Sequence, residues 1–267
     1  MLTTDLRAIS IEQFYKVGLT IAQALSVKNN PKAKIPAYLL EINLGETLSK
    51  EHHEVCNKQH YISSAQLCSN HSIDEIAEQQ LMCVYNFPRK QIGKMMSDCL
   101  VTGAQKEAGT YESKQETTIF IKPSKPVPLG AKIGLFAEKE LYVKNDRKLS
   151  WDEFTALDLR IGTILSIEKN KVDLADNHEK KEEEERTYDV KLDLGETLGT
   201  QHGIVKVSNH FEKDHLLGLQ VMVLTNLDLK EIKSKFPASQ ASVVVCTIAG
   251  DVFLQPAKEV ANGYKIA

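Results

Sequence analysis

The hexapeptide Asn43-Leu44-Gly45-Glu46-Thr47-Leu48 occurs again in the second half of the chain as Asp193-Leu194-Gly195-Glu196-Thr197-Leu198, with one residue changed. Each copy follows a tyrosine-led apolar segment, residues 38–42 in one half and 188–192 in the other. A match this close between distant parts of one sequence indicates a duplicated unit. The length of 267 residues also suits two domains, since a domain commonly has roughly 100–150 residues.

Other segments repeat in the same order. Near the start of each unit a short segment, containing Phe14 or Phe154, precedes an alternating apolar one, in which Leu19 and Ile21 match Leu159 and Ile161. The alternation is typical of a half-buried strand. Each unit closes with a related segment, residues 120–133 and 253–266, where Gly130 and Gly263 are predicted to supply a positive-φ turn before the last strand.

Each unit thus contains about five short strands, a helical insert and loops of variable length, which favours a five-stranded OB-fold barrel. We predict an all-β protein with short helices, built from two OB-fold β-barrels in tandem. The expected bounds are residues 8–137 for the first domain, 138–150 for a polar linker and 151–267 for the second, diverged domain.

The charge is distributed unevenly between the halves. The net charge is −3, but residues 1–150 carry 19 Lys and Arg against 16 Asp and Glu, while residues 151–267 carry 14 against 20. The loop at residues 28–36 is short and basic, whereas its counterpart at residues 171–186 is longer and acidic. Both are expected to be solvated loops. The balance of the whole chain argues neither for nor against nucleic acid.

Cysteine usage and the N-terminal sequence suggest a compartment. The five cysteines have no framework spacing, and Cys83, Cys99 and Cys246 lie in apolar runs, as reduced and buried cysteines do. Neither a signal-peptide pattern nor an apolar run of the ~20 residues that span a bilayer is visible. We expect a soluble, cytoplasmic protein with no membrane partner.

The candidate binding residues lie in two loops of the first copy and beside them. The basic members are Lys32, Lys34, Arg89, Lys90 and Lys94, and the polar ones are Ser63, Gln66, Asn86 and Ser97. Loops at one end of an OB-fold flank its binding face, where Lys and Arg meet phosphates. The alternative is that Asn86 and Ser97 cap turns and that the lysines only keep the surface soluble.

Aromatic residues near these loops are few, namely Tyr61, Tyr85 and Phe87. Phe87 follows an apolar strand, so it is expected to belong to the core and not to a base-stacking platform. Without such a platform, affinity for RNA would depend strongly on salt.

Metal and catalytic chemistry have weak support. His53-x-x-Cys56 and Cys68-x-x-His71 have ligand-like spacing, and His52 and His60 lie nearby, but surface histidines are the favoured interpretation. We predict no metal and no cofactor. The sequence contains no nucleophile elbow, phosphate-binding loop, His-Glu-x-x-His or Rossmann glycine pattern, so we predict that the protein is not an enzyme.

Several motifs resemble one family. Leu157-Asp-Leu-Arg-Ile-Gly-Thr-Ile164 resembles the opening of bacterial CsaA-type proteins, a branch of the tRNA-binding OB domains also found at the C-termini of some methionyl-tRNA synthetases and in endothelial monocyte-activating polypeptide. Later motifs of the same family resemble segments of the first copy, namely residues 31–37, 63–66, 84–88 and 123–133. The copies depart from the pattern differently: Thr20 stands where Arg160 does, and the second copy has Leu227-Asp228-Leu229 in place of Phe-Pro-Arg.

The resemblance implies a function and an architecture. CsaA-type proteins act as homodimers, so the tandem chain is expected to be a fused pseudo-dimer, with any further oligomerisation left open. The implied function is non-catalytic binding of tRNA, recognised by shape, through the basic loops of the first copy; charge reversal at Arg89 and Lys90 is expected to abolish it. The alternative is an export-related chaperone that binds unfolded polypeptides at the pseudo-dimer interface. A third hypothesis makes the second copy purely structural.

Overall fold

The computed structural model describes residues 7–33, 35–46, 60–92, 95–106, 118–136, 148–170, 185–208 and 213–267. The strands of the first half are β1 Leu19–Asn29, β2 Tyr38–Asn43, β3 Tyr61–Ala65, β4 Gln80–Val84, β5 Lys90–Ile92, β6 Met95–Ser97, β7 Leu100–Val101, β8 Gly103–Gln105 and β9 Ile119–Pro123. Those of the second half are β10 Leu159–Lys169, β11 Glu185–Asp193, β12 Thr200–Ser208, β13 Gln220–Leu224, β14 Val243–Val245, β15 Thr247–Ile248, β16 Val252–Pro256 and β17 Lys265–Ile266.

The helices are short. They are α1 Ile11–Lys16, α2 Ile73–Ile76, α3 Trp151–Thr155, α4 Gly195–Leu198 and α5 Leu229–Lys235, with a 3-10 turn at Lys213–Leu216. Ser10, Ser72 and Ser150 each precede a helix as its N-cap and form a reciprocal capping box. None of the helices in the described ranges is long and apolar enough to cross a membrane.

The strands of each half form an OB-type barrel. In the second half β10, β11, β12, β14 and β13 follow one another around a closed ring, and β12 and β14 pair in parallel. The first half has the same order, β3-β2-β1-β4-β7, and the Val101 amide at its open edge donates to the Ser63 hydroxyl (3.3 Å). The predicted all-β fold with two OB-like barrels is confirmed.

The duplication extends to the register of the strands. Gln23 pairs with Asn43 at one end of β1 and β2, and Thr163 pairs with Asp193 at the same place in β10 and β11. In both pairs an irregularity follows at the same offset along the long strand. Because a one-residue slip would reverse the two faces of a strand, this shared register means that the two copies present equivalent residues to their cores.

The repeated hexapeptides form the turns that end β2 and β11. Gly45 and Gly195 have positive φ (84° and 76°), and their amides donate to the side chains of Asn43 and Asp193, both at 2.9 Å. A Cβ on either glycine would lie 2.4 or 2.2 Å from a backbone oxygen of the closing segment. Only glycine fits there, so these turns are barrel scaffold. Thr47 and Leu48 lie outside the described residues.

The closing segments of the two copies join across the seam between the barrels. Gly130 and Gly263 have φ of 84° and 86°, which confirms the predicted positive-φ turns. β9 pairs with β16, and β17 pairs with β8, so backbone ladders connect the two halves. The domain bounds 8–137, 138–150 and 151–267 stay a prediction, since residues 137–147 lie outside the described ranges.

Each barrel has its own hydrophobic core, and a third core fills the seam between the barrels. β1 directs Ala22 and Ala24 into its own barrel, whereas Leu19 and Ile21 pack into a cluster shared by both halves. That cluster contains, from the paired long strands, Leu19, Ile21, Met82, Val84, Leu159, Ile161, Met222 and Leu224. The prediction that these residues belong to a half-buried strand was therefore wrong, because the second barrel covers the outer face. This shared core makes the chain a pseudo-dimer.

The opening motif of the second copy forms a buried ion pair. Arg160 is 3% exposed and donates from Nε to the fully buried Asp158 carboxylate (2.9 Å to Oδ2) and from Nη1 to the Gly263 carbonyl (3.1 Å). Thr20, at the equivalent place in the first copy, donates its hydroxyl to the Ala131 carbonyl (3.0 Å). Both copies use this position to hold the closing segment.

The N-terminal segments of the copies are exchanged between barrels. Ile9 exchanges backbone hydrogen bonds with Asn226 and Asp228 of the second half (2.9 and 2.8 Å), and the amide of Leu149 donates to the Asn86 carbonyl of the first half (3.4 Å). Lys16 in α1 pairs with Glu153 in α3, and this pair lowers the pKa of Glu153 to about 2. As a result α3, at the start of the second copy, lies against the first barrel.

Candidate nucleic-acid interface

Asn86 fixes the point where the chain leaves β4 toward the candidate site. Its side chain accepts from the Gly18 amide and donates to the Lys16 carbonyl, both at 2.9 Å. Asn226 makes the equivalent bonds with Asp158 and Ala156 in the second copy. Asn86 is 2% exposed, so its contacts are those of the turn-capping alternative, and its effect on the site is to hold the following loop.

Residues 88–98, which we call the basic hairpin, follow this turn. In its β5–β6 pairing Lys90 stands opposite Ser97, and Gln91 stands opposite Met96. Arg89, Lys90, Gln91 and Met96 are exposed. Ser97 is buried and donates its hydroxyl to the Cys99 carbonyl (2.9 Å). Lys94 lies outside the described residues. The hairpin therefore presents Arg89 and Lys90 to solvent and uses its serine internally.

A buried carboxylate anchors the basic hairpin. Asp98 is 1% exposed; its Oδ1 accepts from Arg89 Nε (2.6 Å) and its Oδ2 from the Ile62 amide (3.0 Å). The Asp98 amide donates back to the Ile62 carbonyl (2.7 Å). Arg89, with its side chain 37% exposed, thus compensates a buried charge. Reversing its charge would leave two facing carboxylates and cost stability, so Arg89 is a poor residue for a binding test.

A second buried polar residue organises the β1–β2 loop. Asn30, 7% exposed, accepts from the Lys32 amide (3.2 Å) and donates to the Ser64 hydroxyl in β3 (3.0 Å). Its own amide and the Ala37 carbonyl close the loop (2.9 Å). Lys32 is left exposed at the tip. Lys34 lies outside the described residues.

Strand β3 supports both loops. The Ser64 hydroxyl accepts from Asn30 of the β1–β2 loop, and the Ile62 backbone exchanges hydrogen bonds with Asp98 of the basic hairpin. These two residues are on the same face of β3, roughly 7 Å apart along the strand. Ser63, between them, points inward and is buried, while Gln66 is exposed just beyond the strand. The two basic loops are therefore attached close together, at the β2–β3 face that OB-folds use for ligands.

The aromatic residues near the loops have different environments. Tyr61 and Tyr85 are buried, at 0% and 3% exposure. Phe87 packs between Trp151 and Phe154 of the second half, with ring centroids 5.9 and 5.7 Å away, in agreement with its predicted core role. Trp151 itself is 52% exposed, and the ammonium of Lys90 lies 5.7 Å from the centroid of its ring.

The matching region of the second half is different. Asp228 stands where Pro88 does and caps helix α5 by accepting from the Lys230 amide (2.9 Å). The second copy therefore has a helix where the first copy has the basic hairpin. Lys230 occupies the position of Lys90 and is also exposed, but on a different element.

The histidine and cysteine residues do not form a metal centre within the described part of the chain. There, no group of three or more His, Cys, Asp or Glu side chains is placed to hold an ion. His52, His53 and Cys56 lie outside the described residues. His60 contacts Glu41 (2.6 Å) and this bond lowers the pKa of Glu41. Cys83, Cys99 and Cys246 are buried as predicted, and burial raises the pKa of Cys246.

His71 is a buried histidine with an apolar environment. It is 3% exposed and its ring lies 4.7 Å from that of Phe120, centroid to centroid. Burial, and then the charge of Lys258, lower the pKa of His71 to about 4. Among the described residues neither ring nitrogen has a hydrogen-bond partner.

The chain is similar in sequence to part of several methionine–tRNA ligases. A methionine–tRNA ligase of Methanothrix thermoacetophila is 32% identical over 122 residues, which are 45% of this chain and 16% of the relative. A second, from Thermococcus kodakarensis, is 32% identical over 146 residues, 54% of this chain and 17% of the relative. The predicted resemblance is confirmed. The chain spans about a sixth of the length of these curated relatives, so the similarity concerns one region of each. No protein-family model matches the chain.

Solved structures add a similarity to CsaA. The chaperone CsaA from Bacillus anthracis str. Ames is 27% identical, with a TM-score of 0.36, and the match covers 46% of this chain and 96% of that one. The matches to methionine–tRNA ligases cover 45% and 54% of this chain, which is about the size of one copy of the duplication.

Proposed function

We propose that the protein is a non-catalytic tRNA-binding protein that contacts structured RNA through the basic hairpin and the β1–β2 loop of its first barrel. The observation that carries the proposal is the attachment of both loops to β3, through Asn30 to Ser64 and through Asp98 to Ile62. Exposed lysines on two loops held this close together suit an extended phosphate backbone. The similarity to regions of methionine–tRNA ligases supports RNA as the ligand class.

The candidate residues divide into two groups by burial. Lys32, Gln66, Arg89 and Lys90 are exposed and are proposed to contact RNA, with Lys34 and Lys94 completing the charged set. Ser63, Asn86 and Ser97 are buried and are proposed to act indirectly, by holding the loops. Recognition by backbone charge and shape follows from this division, because the buried polar groups are already committed to protein partners.

The export-related chaperone is the competing function. Its site was expected in apolar pockets at the pseudo-dimer interface, but the strand residues at the seam are buried against one another, as Ile21 and Ile161 are at 0% exposure. An unfolded polypeptide would have to displace that core to bind there.

The matched substitutions Lys90→Glu and Lys230→Glu test the proposal. Both lysines are exposed and occupy equivalent positions in the two copies, so the variants have the same net charge. We expect Lys90→Glu to weaken tRNA binding by about tenfold or more at low salt, because it removes a phosphate contact and adds repulsion. Lys230→Glu should bind within about twofold of wild type.

The assay is a mobility shift or filter-binding titration with unmodified tRNA, accompanied by circular dichroism to verify that both variants are folded. Equal losses in the two variants would indicate an unspecific charge effect and would count against the site. Wild-type protein that binds no tRNA, yet suppresses aggregation of an unfolded substrate, would favour the chaperone.

A further inference from the structure

Trp151 combines solvent exposure with packing against two other aromatic rings. It is the only tryptophan in the sequence, and it is 52% exposed although it lies at the junction of the two halves. Its ring packs against Phe87 of the first half and Phe154 of its own half, with centroids 5.9 and 5.6 Å away. A large exposed aromatic ring held by other rings is a surface on which another flat group can stack.

The backbone that carries Trp151 is held in place from both sides. Trp151 is the first residue of α3, which Ser150 and Glu153 cap reciprocally. Glu153 also pairs with Lys16 of the first half. The ring is therefore presented by a fixed backbone and supported by aromatic neighbours, which lowers the entropy lost when a ligand stacks on it.

The two copies differ in two features around Trp151. The residue equivalent to Trp151 is Ile11, which is 4% exposed and packs into the shared core. The element equivalent to the basic hairpin is helix α5. The exposed tryptophan and the basic hairpin thus lie on the same side of the pseudo-dimer, with the Lys90 ammonium 5.7 Å from the indole centroid.

We infer that Trp151 is a stacking platform for an unpaired nucleobase of the bound RNA, and that Lys90, whose ammonium lies over the indole ring in the free protein, moves off the ring to meet the adjoining phosphate. This inference rests on the proposed function and extends it, because the RNA site then includes a residue from each copy. Stacking on an aromatic ring beside a basic groove is the general means of holding single-stranded nucleotides. The second copy would then contribute directly to binding, contrary to the hypothesis that it is purely structural.

Because Trp151 is the single tryptophan in the sequence, its fluorescence reports directly on stacking at this site. Titration of the wild-type protein with hexaadenylate, and separately with tRNA, should quench its fluorescence, and the midpoint of quenching by tRNA should equal the Kd from the mobility shift. Trp151→Leu keeps an apolar cover over Phe87 but removes the ring, and should weaken tRNA binding by roughly tenfold. Trp151→Phe, which keeps a ring, should recover most of that loss.

The salt dependence separates stacking from charge. Trp151→Leu should leave the slope of log K against log salt unchanged, whereas Lys90→Glu should reduce it by about one. If tRNA binds and Lys90→Glu weakens it, but the fluorescence is unchanged and Trp151→Leu binds like wild type, the platform is refuted and the proposed function stands. If no tRNA binds at any salt concentration, both are refuted.

Discussion

The buried histidine of the first barrel should make the stability of the protein depend on pH. His71 precedes helix α2, and its carbonyl accepts from the Tyr38 hydroxyl (3.0 Å). Near it, Lys258 of the second half pairs with Glu75 (2.8 Å), so the charged groups around the ring belong to both halves. Replacing His71 with leucine removes the titrating group and leaves an apolar side chain of similar size against the ring of Phe120.

The magnitude follows from the two states of the imidazole. Its pKa is about 4 in the folded protein, against an ordinary value of 6.5. Above pH 6.5 the ring is neutral in both states and contributes no pH dependence. As the pH falls from 6.5 toward 4, the unfolded chain binds a proton that the folded chain excludes, so the free energy of unfolding falls. This loss is about 1.4 kcal/mol at pH 5.5 and approaches roughly 3 kcal/mol near pH 4.

Urea unfolding followed by circular dichroism at pH 7.5 and pH 5.5 measures the effect. At pH 7.5 His71→Leu should be as stable as wild type within about 1 kcal/mol, or more stable, because the leucine leaves no unpartnered polar atom in the site. Between the two pH values the wild type should lose about 1.4 kcal/mol more than the variant. Carboxylates with ordinary or lowered pKa contribute little in this range. An equal pH dependence in both proteins would show that His71 is charged, or accessible, in the folded state.

Two further predictions concern the duplicated scaffold. Asn86→Ala and Asn226→Ala should each destabilise the protein by about 2–4 kcal/mol, because each leaves buried backbone groups unpaired; urea unfolding that finds either change neutral would contradict the roles assigned to these amides. Gly45→Ala should lower the free energy of unfolding by at least about 2 kcal/mol more than Gly199→Ala, because only the first adds a clash with the backbone. Both glycines have positive φ, but a Cβ meets the Leu129 oxygen at 2.4 Å only in the first. Equal thermal unfolding midpoints for these two variants would refute the tight turn.

The fold was largely predictable because it depends on local signals that occur twice. Hydrophobic alternation, the repeated hexapeptides and the glycines before the last strands are all properties of neighbouring residues. The alternation could not show that both faces of β1 are buried, with Ala22 and Ala24 in its own barrel and Leu19 and Ile21 in the seam, because the other barrel supplies the surface that covers the second face. A strand buried on two faces and a strand buried on one can share the same sequence pattern over a few residues.

The candidate site was predicted in outline, but the division of labour within it was not. The sequence places Arg89 among the basic residues, yet its partner Asp98 is nine residues away and its burial depends on how the basic hairpin folds back onto Ile62. The sequence left two roles open for Asn86, RNA contact and turn capping, and it does not reveal the hydrogen bonds that the side chain makes to Gly18 and Lys16. Local polarity does not reveal whether a side chain contacts a ligand or the backbone.

Trp151 was missed for a topological reason. In the sequence it is 61 residues from Lys90 and belongs to the other copy. It reaches the basic hairpin because the N-terminal segments of the two copies are exchanged between the barrels, as the Leu149 bond to Asn86 demonstrates. The available signal in the sequence was the difference between Trp151 and its counterpart Ile11, since one of two equivalent positions carries an aromatic and the other an aliphatic side chain.

The salt dependence of tRNA binding, compared with that of an unfolded polypeptide, tests the central claim most directly. Log K for tRNA should fall linearly with log salt, with a slope of about −2 to −4 for the three to five phosphate contacts that the basic loops can make. Over the same range of salt, an unfolded polypeptide should bind more weakly than tRNA. Tight polypeptide binding that is insensitive to salt, together with weak tRNA binding that has no salt slope, would contradict the assignment of the basic loops as an RNA site.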